Sequence, residues 1–221
     1  MTAKGLIDTT EMYLKAAYEL EEDGVVPRRA RLADRFGHSA PTVSQTVAKL
    51  HRDGLVTVLE DGRLELSARG RRQAVKVVRK HRIAEVLLYR VIGLDWSQLH
   101  VEACRWEHVV SDHAERRIAE LCGWPGECPH GNPIPGLGTA PGDTRTVLSA
   151  VADGWHDGVL HRVSERGQDD VVFLRALHAA GVLPGTRITL AARPGSAFEL
   201  GGGEGAVTVD RRQAELLVLR G

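Results

Sequence analysis

Histidines, cysteines and carboxylates crowd one stretch of this 221-residue chain. Five of its ten histidines (His81, His100, His108, His113 and His130) and all three cysteines (Cys104, Cys122 and Cys128) lie between His81 and His130. His81 and Glu85 are four residues apart, so a helix sets imidazole and carboxylate on one face, a turn apart. His100, Cys104, Glu107 and His108 repeat the spacings of three and four. Imidazole with carboxylate suits first-row divalent metals, and a thiolate or thioether adds a softness that Ca2+ and Mg2+ do not seek. Both patterns also have plainer readings. A lone His–Glu pair such as His81 with Glu85 is usually just a surface helix pair, and the plainer reading of the His100–His108 group is a buried dimer interface with a satisfied histidine. Cys122, Cys128 and His130 have intervals that suit a structural zinc site poorly, since such sites favour short regular spacings and four ligands. They are read as linker residues.

Helices must carry these groups. Ser67 caps a long helix expected to run to about Ile92 with His81 and Glu85, and a second is expected from about Ser97 to His113. Ahead of them, Met12, Ala16 and Leu20, with Tyr13 and Ala17, recur at helical spacing behind an N-cap at Asp8 or Thr9. A short helix follows over Arg29–Phe36, stopped at Gly37. Ser39 then caps a third helix, Ala40–Arg52, with Pro41 tolerated in its first turn. Two strands, Leu55–Leu59 and Arg63–Leu66, meet at Asp61-Gly62, a strong hairpin signal.

Helix, helix, turn, helix, hairpin is the order of a winged helix-turn-helix. Val43, Val47 and Leu50 make the buried stripe of its third helix, leaving Ser39, Thr42, Ser44, Gln45 and Lys49 outside. In such folds this helix enters the major groove, where Gln45 can bond a base edge and Thr42 or Pro41 can touch a thymine methyl. Arg28, Arg29, Lys49 and Arg52 are placed to hold phosphates, which position a protein without specifying sequence. Winged helices also serve as protein adaptors, so an interaction module is the competing reading.

A formal net charge of zero argues against a simple electrostatic nucleic-acid binder, but it hides an uneven chain. From Arg69 to Arg90 eight bases face one acid, Glu85, whereas from Asp95 to Glu127 seven acids face three arginines. A basic front and an acidic, metal-ligating middle point to two activities. No apolar run approaches the roughly 20 residues that cross a bilayer, and no signal-peptide pattern opens the chain. Few cysteines and no secretory segment argue for a cytoplasmic protein with no membrane partner. Cys122–Gly142 holds five of the nine prolines and reads as a linker. Beyond it, Val159–Val163, Arg187–Ala191 and Ala206–Val209 read as strands around a helix at Asp169–Ala180. No HExxH, nucleophile elbow or phosphate loop supports catalysis, so no catalytic residue is assigned.

Five segments in fixed order carry a family resemblance: DTTEMYLKAAYELEEDG (Asp8–Gly24), SAPTVSQTVAKLHRDGLV (Ser39–Val56), RKHRIAEVLL (Arg79–Leu88), HVEACRWEHVVSD (His100–Asp112) and GNPIPGL (Gly131–Leu137). They closely resemble the diphtheria-toxin repressor and iron-dependent regulator family over about the first 140 residues. The resemblance implies a mainly α protein with small β elements. Its expected parts are a winged helix-turn-helix domain at 1–73, a helical dimerisation and metal-binding domain at 74–140, a linker at 141–150 and an SH3-like β-barrel at 151–221. It implies an Fe2+-dependent repressor of iron-homeostasis genes. As a homodimer, two dimers to a site, it would bind a palindromic double-stranded operator. A manganese- or other metal-responsive regulator of the same fold is the alternative. By motif position a regulatory metal site would use Met12, Cys104, Glu107 and His108. An ancillary site would use His81, Glu85 and His100, with Glu165 and Gln168 from the SH3-like domain. Arg82 and Asn132 would help hold an anion. Manganese-responsive relatives replace the Met and Cys by carboxylates, so Met12 and Cys104 point to iron, with Co2+, Ni2+, Mn2+ or Zn2+ also activating in vitro. The Pro133-Ile134-Pro135 stretch is read as an internal ligand of the SH3-like domain or a stiff spacer.

Overall fold

The computed structural model describes residues 8–139 and 142–220. Its backbone divides into two compact units, one of residues 1–81 and 105–111 and the other of 82–104 and 112–221.

In the first unit, α1 (Thr9–Glu22) begins where Asp8 accepts from Thr10 N–H, one of the turn's otherwise unpaired donors. Helix α2 (Arg29–Phe36) ends because Gly37 adopts φ +63, a conformation that costs glycine little. Ser39 caps α3 (Ala40–Arg52), accepting from Thr42 N–H, with Pro41 in the first turn. Strands β1 (Val56–Val58) and β2 (Leu64–Leu66) pair antiparallel as the wing. Tyr13, Leu14, Leu20, Leu32, Val43, Val47, Leu50, Leu55 and Leu64 close one apolar core beneath them. Ser67 Oγ caps the start of α4 (Ala68–Leu87) by accepting from Gly70 N–H. A single π turn, Leu88–Ile92, continues α4, so the long helix ends where the sequence placed its end.

The second helix expected from Ser97 to His113 is instead two. A 3-10 turn at Trp96–Gln98 leads into α5 (Leu99–Trp106), and α6 (Asp112–Leu121) follows after a break. The break frees Glu107 and His108 from helical geometry. In the second unit β3 (Thr144–Thr146), α7 (Val147–Ala152), β4 (Asp157–Val163), α8 (Val171–Ala179), β5 (Arg187–Arg193), β6 (Ala197–Gly201), β7 (Ala206–Val209), α9 (Arg211–Ala214) and β8 (Leu217–Arg220) build the C-terminal domain. Its six-stranded antiparallel sheet has the order β3-β8-β4-β5-β6-β7. The sequence found β4, β5, β7 and α8 but not β3, β6 or β8, which are short. Residues 141–150, expected as a linker, hold β3 and the start of α7; Pro141 itself lies outside the described residues.

The proline-rich stretch corrects the linker reading of Cys122–Gly142. Cys128, His130, Asn132 and Ile134 are all buried, and the loop folds on itself through Cys128 N–H to Asn132 O and Ile134 N–H to Gly126 O. It is fastened to β4: Val163 N–H donates to His130 O, and Asn132 Nδ2 donates to Val163 O. Gly131, at φ +82, lets the loop and β4 meet, since a Cβ there would stand 2.0 Å from His161 O. Gly131→Ala is therefore expected to lower stability by about 2–3 kcal/mol, from left-handed strain and a displaced loop. A thermal midpoint within a degree of the parent's would contradict this packing.

Candidate metal centre and nucleic-acid face

Three elements of the first unit converge on Glu107. Its Oε2 accepts from Lys15 Nζ at 2.7 Å and lies 2.6 Å from His81 Nδ1, while Oε1 lies 3.3 Å from His108 Nε2. His108 Nδ1 meets Glu11 Oε2 at 2.7 Å, at the start of α1. Met12, half-buried, is the next residue of that helix. Burial pushes the Glu107 carboxyl up, but Lys15 and His81 outweigh it and hold the group at about 2, against an ordinary 4.5. For His108, burial works against protonation, and the Glu11 hydrogen bond with the Glu107 charge more than offsets it, raising its pKa. A buried carboxylate kept ionised beside an imidazole is the donor chemistry a divalent cation seeks. Cys104 belongs to the second unit, where its Sγ lies 3.5 Å from His100 Nε2.

The residues expected at the ancillary site divide similarly. His81 lies in the first unit; Glu85, His100, Glu165 and Gln168 lie in the second. Glu85 Oε1 is 3.9 Å from His100 Nδ1 and 3.1 Å from His130 Nδ1. Glu165 is paired with Arg82, whose Nε donates to its Oε1 at 2.6 Å, both side chains being 1% exposed. Arg82 also donates to Pro133 O. Asn132, the other expected anion ligand, is used within the fold: its Oδ1 accepts from Arg162 Nη1 as its Nδ2 grips β4. Gln168 Nε2 donates to Val163 O, and its buried Oε1 has no hydrogen-bond partner among the described residues. An amide oxygen held without a donor fits a cation ligand.

Sequence reasoning missed four groups here. Lys15 and Glu11 carry no metal-ligand signal, and Asp169, whose Oδ1 lies 3.2 Å from His100 Nε2, stands only one residue from Gln168. The fourth is a cluster: Glu85, Cys128 and His130 each offer one ligand atom within 4.8 Å of the others, all buried. Their sequence intervals are poor for zinc because the carboxylate comes from a helix more than forty residues earlier. Trp96 braces the cluster, donating from Nε1 to Pro129 O, while its own carbonyl lies 3.2 Å from His130 Nε2. Burial, then the Glu85 carboxylate, raise the Cys128 thiol well above the usual range. With chelator present, iodoacetamide is expected to label partly exposed Cys104 at least tenfold faster than Cys128. Equal rates by mass spectrometry would contradict the burial of Cys128.

On α3, Ser39, Pro41, Thr42, Ser44, Gln45, Lys49 and Arg52 are exposed, opposite the buried Val43, Val47 and Leu50. Ser39 and Thr42 share a hydroxyl contact of 2.9 Å, and Lys49 pairs with Asp53 at 2.8 Å. Arg28 is exposed and donates to Asp61 O, tying the wing turn to the segment before α2. Arg29 is half-buried.

A three-helix reading head with a wing, joined in one chain to buried histidine and carboxylate clusters and a C-terminal sheet, defines a metal-dependent DNA-binding regulator. Residues 5–64 match the N-terminal DNA-binding domain of iron-dependent repressors, and residues 67–136 match their metal-binding and dimerisation domain. The chain belongs to this family, that of the diphtheria toxin repressor and IdeR. It is 49% identical over 199 residues to the iron-dependent repressor IdeR of Mycobacterium tuberculosis, covering 86% of each chain. To the diphtheria toxin repressor of Corynebacterium jeikeium it is 41% identical over 226 residues, covering 93% of this chain and 94% of that one. Among solved structures, a manganese-dependent transcriptional repressor in complex with manganese superposes with TM-score 0.79 at 30% identity, covering 96% of this chain and 99% of that one. ScaR with bound Zn2+ gives 0.79 at 26%, with the same coverage. No helix among the described residues is long and apolar enough to cross a membrane.

Proposed function

We propose that this protein is an Fe2+-activated transcriptional repressor that binds a palindromic operator as paired homodimers. The observation that carries this reading is the buried, ionised Glu107 beside His108, tied through Glu11 to the first turn of α1. Met12, Cys104, Glu107 and His108 would hold the regulatory ion, which supplies a cross-link between the N-terminal helix and residues nearly a hundred positions later. Met12 and Cys104 provide the soft donors that favour Fe2+ over Mn2+, and cellular availability selects iron over Co2+, Ni2+ and Zn2+. A swing from about 1:99 to 99:1 requires roughly 5.5 kcal/mol of preference for the DNA-competent arrangement. Selection of bound duplexes from random DNA with anaerobic Fe2+, against chelator, tests the whole reading. Recovery of the same pool in both arms would overturn it.

For the second ion two ligand sets are supported. Glu165 and Gln168 with His81, Glu85 and His100 form the set implied by the family motifs, favoured by the orphaned Gln168 Oε1. Glu85, Cys128 and His130 form the other, favoured by their mutual distances. In a Cys104→Ser variant, Co2+ bound to the second set keeps a thiolate charge-transfer band that Cys128→Ser removes; Co2+ bound to the first gives none.

On the DNA side, Gln45→Ala is expected to reduce discrimination at one base position by about 1–3 kcal/mol with little change in salt slope. Equal weakening on every sequence would exclude base reading by Gln45.

A further inference from the structure

A row of buried charges runs from Glu107 into the reading head. Lys15 Nζ lies 2.7 Å from Glu107 Oε2, 3.1 Å from His81 Nδ1 and 3.6 Å from Glu19 Oε1. Glu19 Oε2 in turn meets Arg35 Nη2 at 3.3 Å, and Arg35 belongs to α2, the helix just before the DNA-facing one. The Lys15, Glu19 and Glu107 side chains are 7%, 4% and 4% exposed, and that of Arg35 16%. Lysine and glutamate are seldom so buried unless charges are arranged in sequence, and here the signs alternate: Glu107, Lys15, Glu19, Arg35. Lys15 and Glu19 sit a turn apart on α1, so one helix face links the two ends.

We propose that Lys15, Glu19 and Arg35 transmit metal occupancy to the DNA-reading helices. The inference rests on the reading of Glu107 as a metal ligand. Lys15 and a divalent cation want the same carboxylate oxygen, and two cations cannot share it closely in so buried a place. When Glu107 is engaged by a metal, the Lys15 ammonium turns to Glu19, which already lies within 3.6 Å on its own helix. Glu19, neutralised from that side, loosens its hold on Arg35. The guanidinium then turns outward to a DNA phosphate. Lys15 is thus an internal competitor that sets metal affinity, and Arg35 a metal-gated phosphate ligand. By linkage, DNA bound through Arg35 draws Lys15 off Glu107 and tightens metal binding.

The test uses the full chain with Cys122 and Cys128 changed to Ser, titrated with Co2+ and followed by the Cys104 charge-transfer band, with and without a selected duplex. Lys15→Met, equal in length and uncharged, is expected to bind Co2+ about tenfold tighter without DNA. Glu19→Gln, which takes away the carboxylate that receives the displaced ammonium, should weaken Co2+ binding severalfold without DNA, and Arg35→Gln should not weaken it. In both, the factor by which duplex tightens Co2+ binding should fall at least fivefold. The Glu19→Gln/Arg35→Gln double variant should lose no more than either single one, as members of one chain do. Unchanged or weaker Co2+ binding by Lys15→Met, or a parental coupling factor in Glu19→Gln, overturns the relay. Parental Co2+ binding by Glu107→Gln would instead overturn the ligand assignment beneath it.

Discussion

Alanine at Met12 or at Cys104 should lower Fe2+-dependent affinity for a selected duplex at least about 100-fold, roughly 2.7 kcal/mol, while the protein stays folded. Both are half-buried, so truncation removes a donor atom more than packing. The two substitutions act on different units of the chain. Met12 stands beside Glu11, which holds His108, at the head of the helix that carries the reading domain. Cys104 stands at the end of α5, a turn before Glu107. If the ion joins these positions, losing either donor cuts the preference for the DNA-competent arrangement, and the swing fails for want of the required energy. Weak binding in chelator should be unchanged, because the exposed face of α3 is untouched. Gel shifts with Fe2+ that match the parent's in both variants would remove Met12 and Cys104 from the site. Circular dichroism and sedimentation on the same samples separate lost ligation from lost folding.

The metal-free chain should also lose stability steeply in acid through Glu107. Its carboxyl is held at about 2 in the fold against an ordinary 4.5, so the folded state keeps the proton off over the interval in which the unfolded chain takes it up. The sign follows. The contribution is complete above about pH 4.5 and disappears as pH falls toward 2. The span corresponds to about 3 kcal/mol. Glu107→Gln should therefore be less stable at neutral pH by a similar amount, because it leaves Lys15 and His81 facing a neutral group. Its urea midpoint should then change less between pH 5 and 3 than the parent's. Parallel pH profiles for the two proteins would show that Lys15 and His81 do not stabilise the ionised carboxylate.

Local signals accounted for the elements from Asp8 to Ser67. Caps at Asp8, Ser39 and Ser67, the stop at Gly37 and the stripe Val43, Val47, Leu50 are decided within a turn or two, so the chain itself reports them. The exposed polar side opposite that stripe, the proposed nucleic-acid face, is legible for the same reason. The break after Trp106 was not visible, because His100, Cys104, Glu107 and His108 keep helical spacing in sequence even where the backbone leaves the helix. Strands β3 and β8 were missed because partners distant in the chain select them, β8 pairing with β3 and β4; β6, between its sequence neighbours β5 and β7, was missed as well.

The sequence by itself determined which residue types could bind a metal and that a winged head would read DNA. It did so because ligand chemistry and helical periodicity are properties of residues and their near neighbours. Only the tertiary structure decided how those residues are used. Lys15, unremarkable in sequence, neutralises Glu107 because α1 carries it to a carboxylate 92 positions away. Cys128 and His130, read as linker, become candidate ligands because Gly131 allows their loop to lie against β4 and the loop brings them to Glu85. Arg82 meets Glu165 across 83 positions of chain. Burial makes each of these charges depend on a partner, and which partner arrives is a matter of long-range packing, which spacing along a single chain does not encode.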